Sequence, residues 1–380
     1  MPKLENPSVE PPVYQRLIRP LLFRCDPEWT HDRSIAVAEL FGRVPGATTV
    51  LRRLVRSQQP CLRTTVAGIE FENPVGLAAG YDKSGRAISA LSGLGFGHIE
   101  IGSISASPSA GNPRPRLWRL PRDEALCVHY GLPNQGAQRI AVRLQGQSFA
   151  VPVGINLVNT NFGPDAVPSS ADQIIDDYVR SASLLSPFAA YLMLNLSCPN
   201  TADGRDFFGD TDSLNRLLER ISALPIAVPL FLKIAPETND ASIDRILAIC
   251  DSFDRVGGFM FNLSPVRRDG LSTPPAEWQD YPGAISGVPT RHWMDQRIAN
   301  LYRQMDKTRY RIIAAGGVCS GADAYQKIRS GASLVQLFTA LIYRGPRVVQ
   351  RINRELAALL AQDGYRTVSE AVGTSVSFET

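Results

Sequence analysis

The chain has 380 residues, an apolar share of 44% and a formal net charge of +4. That length suits an α/β barrel with an extension, and basic residues scattered along the chain supply no nucleic-acid face. No stretch approaches the ~20 apolar residues of a spanning helix, and the polar, proline-rich residues 1–12 do not read as a secretory signal.

The chain divides into two parts, residues 1–62 and 63–380. In the first, Tyr14, Leu17, Ile18, Leu21 and Leu22 fall on one helical face, with Arg16, Arg19 and Arg24 off it. Pro20 is expected to kink or shorten this helix. Thr30 is placed as the N-cap of a second helix that carries Ile35, Ala38 and Phe41. A third, basic segment covers residues 50–56. These helices are read either as a structural cap or as a hairpin that dips into an anionic membrane surface. Their apolar side, including Leu17, Leu21 and Leu22, is expected to open toward the main site. Deleting them should then spare reaction with a soluble dye.

From residue 64 the pattern alternates. A hairpin over 64–71 precedes strands at 74–79, 98–102, 151–156, 190–196, 229–235, 258–263, 311–315 and 333–338. Helical stretches lie between them, for example 171–185, 240–250 and 322–329. Eight strand–helix units point to a (β/α)8 TIM barrel. The insertion 263–294 exceeds a plain βα loop and is assigned to the top of the site.

In such barrels chemistry sits at the C-terminal ends of the strands. There the sequence places Lys83, Ser103, Asn156, Asn195, Cys198, Asn200, Lys233, Asn262 and Ser264. Carboxamides flank Cys198, and they can grip a planar ring with amide or carbonyl edges. A cysteine at that point can move a proton or attack an electrophile. Lys233 lies inside an apolar run, so it must find a partner or lose its charge. Gly316, Gly317 and Thr339 fit a phosphate cradle after the seventh and eighth strands. Six cysteines without a C-x-x-C pair, and four histidines without a helical pair, argue against a metal site. The scattered cysteines point to reduced thiols in the cytosol.

Several long segments resemble the dihydroorotate dehydrogenase family, specifically its membrane-associated, quinone-dependent class 2 branch. They include Gly76-Leu77-Ala78-Ala79-Gly80-Tyr81-Asp82-Lys83, Ile99-Glu100-Ile101-Gly102-Ser103, Gly111-Asn112-Pro113-Arg114-Pro115-Arg116-Leu117-Trp118-Arg119-Leu120, and Gly331 to Ala340 followed by Arg344-Gly345-Pro346. The stretch Tyr14 to Asp32, with Asp26-Pro27-Glu28, looks like the branch's membrane-docking helices.

The resemblance implies FMN across the barrel mouth. Ala79, Gly80 and Ser103 would line the flavin, and Asn156 and Lys233 would hydrogen-bond it. Gly287, Gly316, Gly317, Phe338 and Thr339 would hold its ring edge, ribityl chain and phosphate. Lys83, Asn195 and Asn200 match substrate contacts, and Arg119 matches the quinone tunnel. Cys198 matches the catalytic base. The implied activity is oxidation of dihydroorotate to orotate with a quinone acceptor. The implied location is the periphery of a membrane's cytoplasmic face.

The chain also departs from the class 2 pattern. Cys198 and Gly131-Leu132-Pro133-Asn134 follow the soluble class 1 branch instead. Val128 stands where the family has an orotate-binding asparagine, and His129 stands beside it as a possible substitute contact. At the sixth strand the family asparagine is either replaced by Leu263 or shifted to Asn262. These changes leave room for a repurposed enzyme acting on another cyclic amide or enone. A flavin-binding protein without turnover is a further alternative.

Overall fold

The computed structural model describes residues 13–55, 57, 59–163, 165–197, 210–264 and 266–377. The strands, in chain order, are β1 (Thr64–Val66), β2 (Ile69–Phe71), β3 (Val75–Leu77), β4 (His98–Ile104), β5 (Leu117–Leu120), β6 (Ala125–Val128), β7 (Val153–Leu157), β8 (Tyr191–Asn195), β9 (Leu230–Ile234), β10 (Val256–Phe261), β11 (Ala284–Gly287), β12 (Arg311–Ala314) and β13 (Leu334–Leu337). Eight of these close a parallel barrel in the order β3-β4-β7-β8-β9-β10-β12-β13. The fold is therefore the (β/α)8 barrel, and every expected barrel strand falls within about two residues of its sequence position.

Strand alternation builds two cores. Leu192, Leu194, Leu230 and Leu232 join helix residues such as Ile174, Ile175, Leu217 and Leu218 in the large outer core. The intervening residues Tyr191, Met193, Phe231 and Met260 fill the barrel interior with Val66 and Phe71 of the β1–β2 hairpin. Because the hairpin joins that inner cluster, the barrel is a packed core with its open mouth at the other end. Gly154 makes room for this packing: a Cβ there would lie 2.1 Å from the Tyr191 ring.

The outer helices begin where side chains satisfy their free N–H groups. Ser170 and Gln173 form a capping box for helix Ala171–Leu185, and Asn239 caps Asp240–Cys250. Ser320 caps Gly321–Arg329, one residue earlier than expected.

The N-terminal segment differs from expectation in several details. A π-helical turn, Tyr14–Ile18, runs without a break into Arg19–Leu22, so Pro20 lies inside a continuous helical run to which it supplies no N–H. The second helix spans Pro27–Gly42, and its cap is Asp26, not Thr30: the Asp26 carboxylate accepts from Trp29 N–H at 2.7 Å. Ile35 is buried, whereas Phe41 is exposed, and the other buried positions are Glu28 and His31. The third helix is Ala47–Val55. Leu17 and Leu21 are exposed, while Tyr14 turns inward, donating from its hydroxyl to Ile342 O at 2.7 Å.

A second sheet was absent from the sequence reading. Strands β5 and β6 form a hairpin, and β11, from the 263–294 insertion, pairs antiparallel with β6. This three-stranded sheet brings part of the insertion to the barrel mouth, as anticipated.

Candidate active site

The C-terminal ends of the barrel strands and the β5–β6–β11 sheet enclose a cleft with about 1210 Å³ of open space. Of the residues singled out from sequence, Ala79, Gly80, Lys83, Ser103, Val128, Asn195, Lys233, Asn262, Gly287, Gly316, Gly317, Phe338 and Thr339 line it. Register explains why the polar ones meet. Asn195 and Lys233 are direct partners on β8 and β9, and each continues the inward alternation of Met193 and Phe231.

The same alternation decides between Asn262 and Leu263. Position 262 follows Met260 by two residues, so its carboxamide turns inward. Asn262 Nδ2 donates to Asn195 Oδ1 and to Ser197 O, both at 2.9 Å. Asn195 Nδ2 donates to Ser103 Oγ at 3.1 Å, and Ser103 Oγ donates to Asn156 Oδ1. Asn156 Nδ2 then donates to Glu100 Oε1 at 2.8 Å. The wall is one donor-to-acceptor chain ending on a buried carboxylate, an arrangement in which each bond polarises the next. The other Glu100 oxygen accepts from Tyr191 OH at 3.0 Å and Gln336 Nε2 at 2.9 Å. Nearby His98 is pushed down to about 3 by burial, so its ring stays neutral.

Four expected residues lie off the cleft wall. Asn156 stands behind Ser103 and reaches the cleft only through it. His129 turns away from Val128, and its Nε2 lies 3.0 Å from Asn112 Nδ2. Ser264 donates to Glu237 and accepts from Arg267 N–H. Arg119 meets the N-terminal segment, donating to Cys25 O at 2.8 Å with its guanidinium 4.6 Å from the Phe23 ring centroid. Cys198 and Asn200 lie outside the described residues.

The reading from sequence missed Tyr130, Leu132, Pro133, Ser286 and Gln336. Most belong to the overlooked second sheet or follow β6. The short apolar run Ala125 to Val128 was the available signal. His31 was missed as well: its Nε2 lies 2.9 Å from Lys83 Nζ.

Charge in the cleft is tuned by burial. The Lys83 ammonium is pushed down to about 8, chiefly by desolvation, against the pull of Asp32 and Glu28. Its Nζ sits 4.1 Å from the Tyr130 ring centroid, a favourable cation–π distance.

At the other end, Gly316 and Gly317 adopt φ of +97° and +73°, a left-handed backbone natural to glycine. They line the cleft together with Thr339, whose hydroxyl is 3.0 Å from Ser286 Oγ. The Tyr130 hydroxyl and Gln336 Oε1, both on cleft-lining residues, are buried without a hydrogen-bond partner among the described residues. Leaving such groups unpaired costs about 1–3 kcal/mol each. Apolar side chains, polar side chains and glycines lining one cleft fit a planar heterocycle carrying an anionic tail. Among the described residues no cluster of His, Cys, Asp and Glu is arranged to hold a metal.

A family model described as dihydroorotate dehydrogenase matches residues 61–360. A relative from Thermobifida fusca named dihydroorotate dehydrogenase (quinone) is 39% identical over 376 residues, spanning 96% of this chain and 97% of its own. One of the same name from Mycobacterium tuberculosis is 37% identical over 359 residues, spanning 94% and 98%. The crystal structure of Eimeria tenella DHODH with ferulenol shares 28% identity and a TM-score of 0.79, covering 92% of this chain and 96% of that one. Its ligand-free form gives the same score, covering 93% and 100%. With a barrel, a cleft and a near full-length sequence match in agreement, the chain belongs to the dihydroorotate dehydrogenase family.

Proposed function

We propose that the protein binds FMN in this cleft and oxidises dihydroorotate to orotate, with a quinone as the final acceptor. The supporting observation is the convergence of Lys83, Ser103, Asn195, Lys233 and Asn262 on one cleft that Gly287, Gly316 and Gly317 also line. In this reading Ala79, Gly80 and Ser103 line the flavin ring, and Lys233 donates to its polar edge. Gly287, Gly316, Gly317, Phe338 and Thr339 hold the remaining edge, the ribityl chain and the phosphate. Asn156 contributes by orienting the Ser103 hydroxyl. Bound FMN supplies the hydride acceptor.

Lys83 pairs with the substrate carboxylate, and Asn195, Asn200 and Asn262 orient the ring. Cys198 takes the acidic proton from the substrate carbon. The substrate thereby loses one proton and one hydride and gains a carbon–carbon double bond. The quinone gains those two electrons with protons and leaves as quinol.

The N-terminal segment is proposed to meet a membrane from its cytoplasmic face. Leu17, Leu21, Leu40 and Leu54 are exposed there, among exposed arginines such as Arg16, Arg24 and Arg43. Such a surface suits an anionic lipid interface. No helix among the described residues is long and apolar enough to cross a membrane.

A second reading, oxidation or reduction of a less polar cyclic amide or enone, draws on the cleft's apolar wall. Val128, Leu132, Pro133 and Leu263 line it, and the His129 ring meets Asn112. The test uses the purified holoprotein. Cofactor released by heat should run as FMN, and dihydroorotate should drive reduction of a short-chain quinone. FAD, or no flavin, would refute the cofactor assignment. Quinone reduction with another cyclic amide but none with dihydroorotate would establish the second reading.

A further inference from the structure

Helix Pro27–Gly42 turns one stripe, Glu28, His31, Ile35 and Glu39, toward the barrel. Three of the four make polar contacts with two other segments, the loop 83–86 after β3 and the stretch just before β5. Glu28 pairs with Arg116 at 2.7 Å, and Glu39 pairs with Arg86 at 2.5 Å. Between these clamps, His31 meets Lys83 at 2.9 Å. A lysine ammonium has only donors to offer, so His31 Nε2 is the acceptor. The ring proton therefore sits on Nδ1, and the Tyr81 backbone takes a hydrogen bond from the ring. Burial, then the Lys83 charge, holds His31 well below its usual range and keeps it neutral. The ring is also fixed edge-on to Tyr81, with centroids 5.2 Å apart. Lys83 is thus held by an oriented acceptor on one side and the Tyr130 face on another, while it lines the cleft.

We propose that His31 is a positioning residue: it fixes the Lys83 ammonium toward the cleft, so the N-terminal helix takes part in binding the anionic substrate. This rests on the reading of Lys83 as the substrate-carboxylate contact. Deleting the N-terminal segment removes the Lys83 acceptor, so reaction with a soluble dye is impaired rather than spared.

The test is orotate binding to the oxidised holoprotein, followed by the flavin spectrum, with flavin content as the check on folding. His31→Phe keeps an aromatic ring without the acceptor and should weaken orotate roughly tenfold to a hundredfold, the scale of one hydrogen bond to a charged group. His31→Gln restores an acceptor and should recover most of that loss. In a Lys83→Met background, His31→Phe should change affinity by less than about twofold, because the two act as one unit. A purely structural histidine would weaken binding in both backgrounds, and that result would overturn the proposal. Weak binding by Lys83→Met beside normal binding by His31→Phe would also overturn it, leaving the Lys83 reading intact. Normal binding by Lys83→Met would refute the Lys83 reading itself.

Discussion

Removing the Glu28 carboxylate should release helix Pro27–Gly42 from the barrel without unfolding the barrel. Glu28 accepts from Arg116 Nη2 at 2.7 Å and Nε at 3.1 Å, and both side chains are only 8% exposed. Arg116 Nη1 is anchored separately on the carbonyls of Ala110 and Asn112. The guanidinium therefore stays buried when its counter-charge goes. Breaking one side of a buried pair costs about 3–5 kcal/mol. The second partner, Arg114, is 63% exposed and adds at most ~1 kcal/mol. At about 1.4 kcal/mol per tenfold, Glu28→Ala should raise local opening roughly a hundredfold to a few thousandfold. Native-state hydrogen exchange on the helix 27–42 amides measures this, with helix 171–185 as an unperturbed internal reference. Replacing both partners with Met should recover most of the protection, because no orphan charge remains. Exchange in Glu28→Ala within about threefold of wild type would show that the clamp does not hold the helix.

Other outcomes follow from the site. Lys83 titrates near 8, so its positive charge is present below that pH and lost above it. Orotate affinity should fall from about pH 8 upward, by up to about tenfold per unit, rather than hold until pH 10 as with an ordinary lysine; isotherms at successive pH values decide. Cys198→Ala should retain FMN yet slow flavin reduction by dihydroorotate roughly 10²–10⁴-fold in stopped flow, while Cys198→Ser keeps some activity at raised pH. Val128→Asn should tighten orotate about tenfold or more by adding a hydrogen bond to a charged or polar ligand edge. An unchanged isotherm would mean that the apolar wall does not limit orotate binding.

The barrel was legible because its strands are short, mostly apolar runs with helical stretches between them. Tyr191 to Asn195 and Leu230 to Ile234 are clear examples. Cleft residues followed once strand ends were located, since barrel chemistry gathers there. The β5–β6–β11 sheet was harder to read: its strands have four residues each, β5 contains Arg119, and β11 comes from a distant insertion. Thr30 and Asp26 both suit an N-cap, and Pro27 at the first helical position was the signal that favoured Asp26. The contact of His31 with Lys83 joins residues 52 apart. Periodicity ranks a helix face by apolarity, so it gives a stripe of Glu28, His31 and Glu39 no inward signal. Ion pairs with Arg116 and Arg86 are what turned it inward. The side-chain direction of Asn262 needed the register of Met260 beside Lys233, which only the closed barrel supplies.

The most direct test of the account is anaerobic titration of the oxidised holoprotein with dihydroorotate, followed by the visible flavin spectrum. The account predicts stoichiometric bleaching, orotate as product, and return of the yellow spectrum on adding quinone. A spectrum unchanged by excess dihydroorotate, in protein fully loaded with FMN, would contradict it.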